Sequence, residues 1–324
     1  LAMEEYMTLH VPQGTCILYL WQNRHTVVIG KNQNCWRECR VNFLEQENGY
    51  LVRRLSGGGA VFHDLGNLNF TFIVGAGDYD VSRQLDVILE AVRSLGIHAE
   101  KTGRNDITVD GRKFSGNAFY RTGDGCYHHG TILIRADKEN MSRYLNVSKE
   151  KLASKGVTSV KSRVANLCEF KPDITLEEVK SALVEAFSKV YGQPAVRMEE
   201  GELPQPDIDA RTEKFASWQW KYGRKIPFEY EMEKRFPWGN IQIQFHVDEG
   251  MIQDVNVFSD AMDQEMIGML AEQLKGCAYA EEDICRAVKA VGTDAFQAGE
   301  YTGADEPQSC RIKEDIMTLV RESL

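Results

Sequence analysis

Between residues 16 and 74 the chain strings together short apolar runs: "CILYLWQ", "TVVIG", "YLVRRL", "AVFHD" and "LNFTFIV". They are rich in β-branched or aromatic residues and bounded by Gly, Asn or Asp, which is the punctuation of strands. The period then changes. Val81, Leu85, Ile88, Leu89, Val92 and Leu95 fall on one helical stripe, and Gly96 stands just past its end. Dense strands followed by an amphipathic helix predict a large sheet with helices packed on it, an α+β fold. Downstream, "TVDGRKF" reads as a hairpin around Asp110-Gly111 and "GTILIRA" as a further strand. "ITLEEVKSALVEAF" reads as a second helix, opened by a Thr175/Glu178 capping box.

A length of 324 residues exceeds one average domain. "GELPQPDIDA" is a Pro-containing polar connection, and "KIPFEYEMEKRFPWG" reads as an interdomain stretch. The hairpin pattern "NIQIQFHVDEGMIQDVNVFSD" and three helical segments follow. We therefore expect a catalytic domain over 1–228, a linker over 229–239 and a smaller α+β domain over 240–324. A net charge of −10 argues against a nucleic-acid footprint, because phosphate backbones need a basic surface. No apolar run approaches the ~20 residues that span a bilayer, and no signal peptide is read. The eight cysteines are irregularly spaced, which predicts reduced thiols in a cytoplasm; a monomer without membrane partners is the default expectation. Cys35 and Cys39 lie four apart, but no His or second Cys pair completes a zinc site.

Two motifs carry chemistry. In "RRLSGGGAVFHD" three glycines stand between strand-like runs. Gly57, Gly58 and Gly59 can adopt positive φ and bring backbone N–H groups close to an anion without a Cβ clash. Strand alternation is expected to turn only one of Arg53 and Arg54 inward. The loop lacks both the GxGxxG order and the GK[ST] ending of a P-loop. Alone it would read as a mobile hairpin tip; the flanking arginines favour a binding role.

The second motif is "DGRKFSGNA". With Asp110-Gly111 as a two-residue turn, Val109 should pair with Arg112, Thr108 with Lys113, Ile107 with Phe114 and Asp106 with Ser115. Ile107, Val109 and Phe114 then face the core. Asp106, Thr108, Lys113 and Ser115 share the other face, and Gly116 and Asn117 continue it. A lysine ammonium is a compact point charge suited to a carboxylate and a phosphate that share an oxygen. Asp106 is placed to hold Mg²⁺, which favours one or two carboxylates plus phosphate oxygens. An isolated lysine on a hairpin is ordinarily solvated; the surrounding "GRND" and "SGNA" move the reading toward a site.

The segments "RRLSGGGAVFHDLGN", "TGRNDITVDGRKFSGNA", "HHGTILI" and "SKGVTSVKSRVANL" closely resemble lipoate–protein ligase A. The likeness extends over essentially the whole chain, including "WQWKYG". It implies the large mixed-sheet catalytic domain of the biotin/lipoate ligase superfamily, with a smaller α+β domain. It also implies two steps, in which lipoate and ATP give lipoyl-AMP and the lipoyl group then passes to a lysine. The implied acceptors are lipoyl domains of 2-oxoacid dehydrogenase E2 subunits and glycine-cleavage H protein. ATP, Mg²⁺ and lipoic acid are the implied small molecules. Carried over by motif, Lys113 is the catalytic lysine. Lipoate contacts fall on Trp21, Arg54, Ser56, Gly58, Gly59, His63, Gly116, His129, Gly130 and Thr131. Nucleotide contacts fall on Arg54, Gly59, Ala60, Val61, Phe62, Asn67, Asn105, Asp106, Ser115 and Asn117. Lys155 and Gly156 belong to "SKGVTSVK", expected to close over the adenylate. Two departures stand out. Family members carry a strand and turn ahead of the "LAMEEY" helix, and Phe114 stands where smaller residues are common.

Three rival readings remain open at this point. An octanoyltransferase would use Cys126, with His128 and His129 nearby to lower a thiol pKa. An amidotransferase would accept a ready-made acyl group and adenylate weakly. A non-enzymatic lipoyl-domain binder would leave Lys113 and the glycine loop without a purpose. Biotin ligase is disfavoured because its Gly-Arg-Gly-Arg loop is missing.

Overall fold

The computed structural model describes residues 1–102, 106–146, 164–292 and 308–324. The chain divides into two compact units, and the division does not follow a single cut in the sequence. One unit comprises Leu1–Val28, Arg37–Arg53 and Val61–Lys221; the other comprises Ile29–Trp36, Arg54–Ala60 and Tyr222–Leu324.

The first unit is organised by a six-stranded sheet. Its strands are β1 (Cys16–Trp21), β5 (Asn67–Gly75), β6 (Glu100–Thr102), β7 (Asp106–Val109), β8 (Arg112–Thr122) and β9 (Gly125–Leu133). The spatial order is β1-β5-β9-β8-β7-β6. Every pairing among these strands is antiparallel, which refines the mixed sheet expected from sequence. A small second sheet joins β2 (Thr26–Ile29), β3 (Tyr50–Arg53) and β4 (Val61–His63).

Side-chain alternation gives the large sheet two different faces. On one, Leu68, Phe70, Phe72, Ile107, Phe114 and Ile132 form a continuous core with helices Val81–Ser94 and Leu176–Tyr191. The first helix buries the expected Val81, Leu85, Ile88, Leu89 and Val92; Asp80 caps it, and Gly96 follows at φ +83°. The second opens with the expected box, Thr175 accepting from the Glu178 amide while Glu178 accepts from the Thr175 amide. Helix Ala2–His10 lies on the other face, where its Glu4 reaches β5 and β9.

The second unit contains a three-stranded antiparallel sheet of β10 (Tyr230–Phe236), β11 (Gly239–Asp248) and β12 (Met251–Ser259). Helices Gln264–Leu274, Glu281–Ala290 and Gln308–Ser323 accompany it, as the sequence pattern anticipates. Ile241, Ile243, Phe245, Leu270, Ile284 and Ile316 are at the centre of its core. Residues 230–236, inside the stretch read as a linker, form strand β10. Their alternation is masked in the sequence because only Met232 of the strand is fully buried. No helix among the described residues is long and apolar enough to cross a membrane.

Candidate active site

The hairpin that presents Lys113 turns on Asp110 and Gly111, both at positive φ (+50° and +71°), as a two-residue loop requires. Val109 pairs with Arg112 and Thr108 with Lys113, as expected. The register then slips. Ile107 pairs with Ser115 and Asp106 with Gly116, leaving Phe114 as the extra residue of a bulge. The slip has a packing cause: Phe114 is large, fully buried and fills the helix-covered core. It reverses the facing of the residues beyond it. Ser115 stands opposite Ile107 and Ile132, and Asn117 opposite Gly130. Both therefore point to the helix-covered face, contrary to the expectation that they continue the Lys113 face.

The Lys113 face is laid out by cross-strand register. Trp21 is opposite Asn69, Asn69 opposite Thr131, Thr131 opposite Gly116, and Gly116 opposite Asp106. Directly opposed residues share a face, so these form one row across five strands. Lys113 reaches over this row. Its Nζ lies 2.5 Å from Asp106 Oδ1, with both side chains about four-fifths buried (21% and 17% exposed). A Cβ on Gly116 would sit 2.5 Å from that Nζ, so the missing side chain is what lets the ammonium lie there.

A hydrogen-bonded chain supports the other end of the row. Trp21 Nε1 donates to Thr71 Oγ1 (3.0 Å), and Thr71 Oγ1 donates to Glu4 Oε1 (2.8 Å). The same carboxylate oxygen lies 2.8 Å from His129 Nδ1. One fully buried carboxylate thus ties Trp21 and His129, both expected lipoate contacts, to the first helix. His63 joins them, its ring edge-on to Trp21 at 6.0 Å. Glu4, Thr71 and Asn69 were missed by sequence reasoning. A polar residue at every second position of the otherwise apolar "NLNFTF" was the available signal.

The other predicted residues are not members of this row. A Cβ on Gly130 would meet Phe70, Asn117 and the Gly116 carbonyl, so Gly130 serves close packing on the core face. Asn117 accepts toward His128 Nε2 at 2.8 Å, and Gln84 Oε1 lies 3.1 Å from His128 Nδ1. Burial, helped by His129, holds the His128 imidazole well below its ordinary pKa. Phe62 is buried against His25 and Tyr144, and Val61 precedes it in β4. Asn67 opens β5 and donates to Asn69 Oδ1 at 2.9 Å. Asn105, Lys155 and Gly156, with the expected closing segment 154–161, lie outside the described residues.

Arg54, Ser56, Gly58, Gly59 and Ala60 belong to the second unit. There Arg54 wraps its own loop, donating to Ser56 Oγ (2.9 Å), the Gly57 carbonyl (2.6 Å) and the Gly59 carbonyl (2.8 Å). Gly58 is left-handed at φ +86°, and its N–H donates to the Ala261 carbonyl at 3.1 Å. Both arginines are buried, Arg53 at 6% exposure and Arg54 at 5%. Alternation fails as a guide here because Arg54 falls beyond the end of β3.

The sequence profile described as the lipoyl protein ligase A/B catalytic domain matches residues 1–188, and that of the bacterial lipoate protein ligase C-terminus matches 225–303. The chain belongs to the lipoyl protein ligase A/B family. Among solved structures it is similar to P. falciparum LipL1 in complex with lipoate. Identity is 29% and TM-score 0.80, over 98% of this chain and 95% of that one. A bi-partite lipoate protein ligase from Thermoplasma acidophilum, described with its E2 lipoyl domain, is 27% identical at TM-score 0.61, over 69% of this chain and 92% of that one. A lipoate-protein ligase A bound with ATP is 25% identical at TM-score 0.59, over 68% and 92%. The two-domain α+β fold is therefore that of the lipoate ligases, and the chain is a ligase-type enzyme.

Proposed function

We propose that the protein is an ATP-dependent lipoate–protein ligase. A lipoate carboxylate oxygen attacks the α-phosphorus of ATP; the bond to the bridging oxygen breaks and pyrophosphate leaves. An acceptor lysine amine then attacks the acyl carbon of lipoyl-AMP, AMP leaves, and the nitrogen loses a proton to give the amide. Neither step needs a protein nucleophile. Both need positive charge fixed where the acid meets the phosphate.

The observation that carries this reading is the Lys113 ammonium, largely buried, held by Asp106 and aimed over Gly116 on the row that holds Trp21 and Thr131. Similarity to structures containing lipoate and ATP supports it. The acceptors we propose are E2 lipoyl domains and glycine-cleavage H protein, the former supported by the Thermoplasma relative. Asp106 would offer Mg²⁺ one carboxylate, and the described residues contain no group of three or more His, Cys, Asp or Glu to hold an ion by themselves. The ion would come with nucleotide phosphates and neutralise their charge.

A cysteine route finds no support in the surroundings of Cys126. The thiol is buried in β9, and the ring nitrogens of His128 are directed at Gln84 and Asn117. The deciding experiment mixes lipoate, ATP, Mg²⁺ and a purified lipoyl domain, and reads pyrophosphate and the intact mass of the acceptor. Wild-type protein should release pyrophosphate and add one lipoyl group. Lys113→Ala and Lys113→Arg should do neither, since a planar fork does not replace a point charge. Acyl transfer from lipoyl-AMP without pyrophosphate release from lipoate and ATP would instead identify an amidotransferase.

A further inference from the structure

Asn69 is the third residue of β5, a strand buried along its whole length. Asn is depleted in strands, and a buried amide with an open donor is costly. Asn69 is 1% exposed, and its Nδ2 has no hydrogen-bond partner among the described residues. Asn67 Nδ2 donates to Asn69 Oδ1 at 2.9 Å, which leaves the Asn69 NH₂ and the Asn67 Oδ1 as the two open groups of this amide pair. Register places this donor between Trp21 on one side and Thr131 on the other, with Gly116 and the Lys113 ammonium next along the row. Two strand spacings, roughly 10 Å, separate the Asn69 and Gly116 backbones. An acyl group laid along the row with its carboxyl end at Lys113 brings an acyl oxygen over Thr131, within reach of an amide from β5.

We propose that Asn69 is a second donor to the reacting acyl group: Lys113 takes the oxygen that joins phosphorus, and Asn69 Nδ2 donates to the other. This rests on the ligase reading above. The carbonyl oxygen persists through both steps and gains negative charge when the acceptor amine adds, so a fixed neutral donor there assists each. Asn67, expected from sequence as a nucleotide contact, is hydrogen-bonded to Asn69 on this same face.

The test compares wild-type protein with Asn69→Asp, which keeps the shape and replaces the NH₂ by an acceptor, and with Asn69→Leu, which removes both polar groups. Lipoate affinity is measured by calorimetry without nucleotide. Pyrophosphate release is measured with lipoate and ATP each varied, and folding is followed by thermal unfolding. Both variants should bind lipoate about tenfold or more weakly and release pyrophosphate about 10- to 100-fold more slowly. The KM for ATP should stay within twofold and the unfolding midpoint within a few degrees. If Asn69→Leu does not fold, Asn69→Asp carries the comparison. Folded Asn69→Asp with lipoate affinity and pyrophosphate release within twofold of wild type overturns the assignment. Wild-type protein that binds lipoate but releases no pyrophosphate would instead refute the ligase reading; the lipoate affinities of the variants then decide the role of Asn69 by themselves.

Discussion

Substituting Gly116 by alanine should separate chemistry from stability. The new Cβ would lie 2.5 Å from Lys113 Nζ and 2.6 Å from Lys113 Cε, against about 3.5–4.0 Å for comfortable contact. The end of the lysine must therefore move by roughly 1 Å, and a displacement of that size costs about 10²-fold in rate where positioning dominates catalysis. The fold should hardly notice. Gly116 has no positive φ, and the atoms met first are the far end of a flexible side chain rather than backbone. Replacing glycine at a compatible position stabilises by about 0.4–1 kcal/mol. The largely buried Lys113–Asp106 pair can re-form around the shifted ammonium, because the lysine stem is flexible. We expect an unfolding midpoint within a few degrees of wild type and pyrophosphate release from lipoate and ATP reduced about 100-fold. A Gly116→Ala protein with wild-type turnover would show that Lys113 does not act from above this glycine.

Gly130→Ala should fail in the opposite way: its Cβ would meet the Gly116 carbonyl at 2.6 Å, and backbone cannot yield, so a loss of about 1–3 kcal/mol in denaturant unfolding is expected. Cys126→Ala should retain pyrophosphate release and lipoyl transfer; loss of transfer with ATP uncleaved would revive a thioester route. Glu169 gives a pH signature. Burial alone would raise its carboxyl, but the Asn166 amide, Lys138 and Arg112 outweigh this and hold it near a pKa of about 2. A depressed carboxyl contributes stability that is fully present above its unfolded value, about 4.3, and is lost as pH falls toward 2. The unfolding midpoint of wild type should drop through that window, and Glu169→Gln should flatten the drop.

Much of the architecture was legible because it depends on local chemistry. Runs of β-branched and aromatic residues located β1 to β5, and helical periodicity located the helix at 81–94. Turn-forming residues located the Asp110-Gly111 turn, and Thr175 with Glu178 marked a helix start. Strand β10 escaped because only one of its side chains is fully buried, which leaves no period to read.

The sequence by itself determined that a lysine would stand beside Asp106 on a hairpin, since turn type and alternation are properties of neighbouring residues. It did not determine which neighbours share that face. A single extra residue, Phe114, reverses every position after it, and whether a strand bulges depends on how its side chains fill a core contributed by distant segments. The same holds for Glu4 and Asn69. Their charge and amide gain meaning only when β1, β5, β9 and β8 are laid side by side, because register between strands far apart in sequence is a tertiary fact.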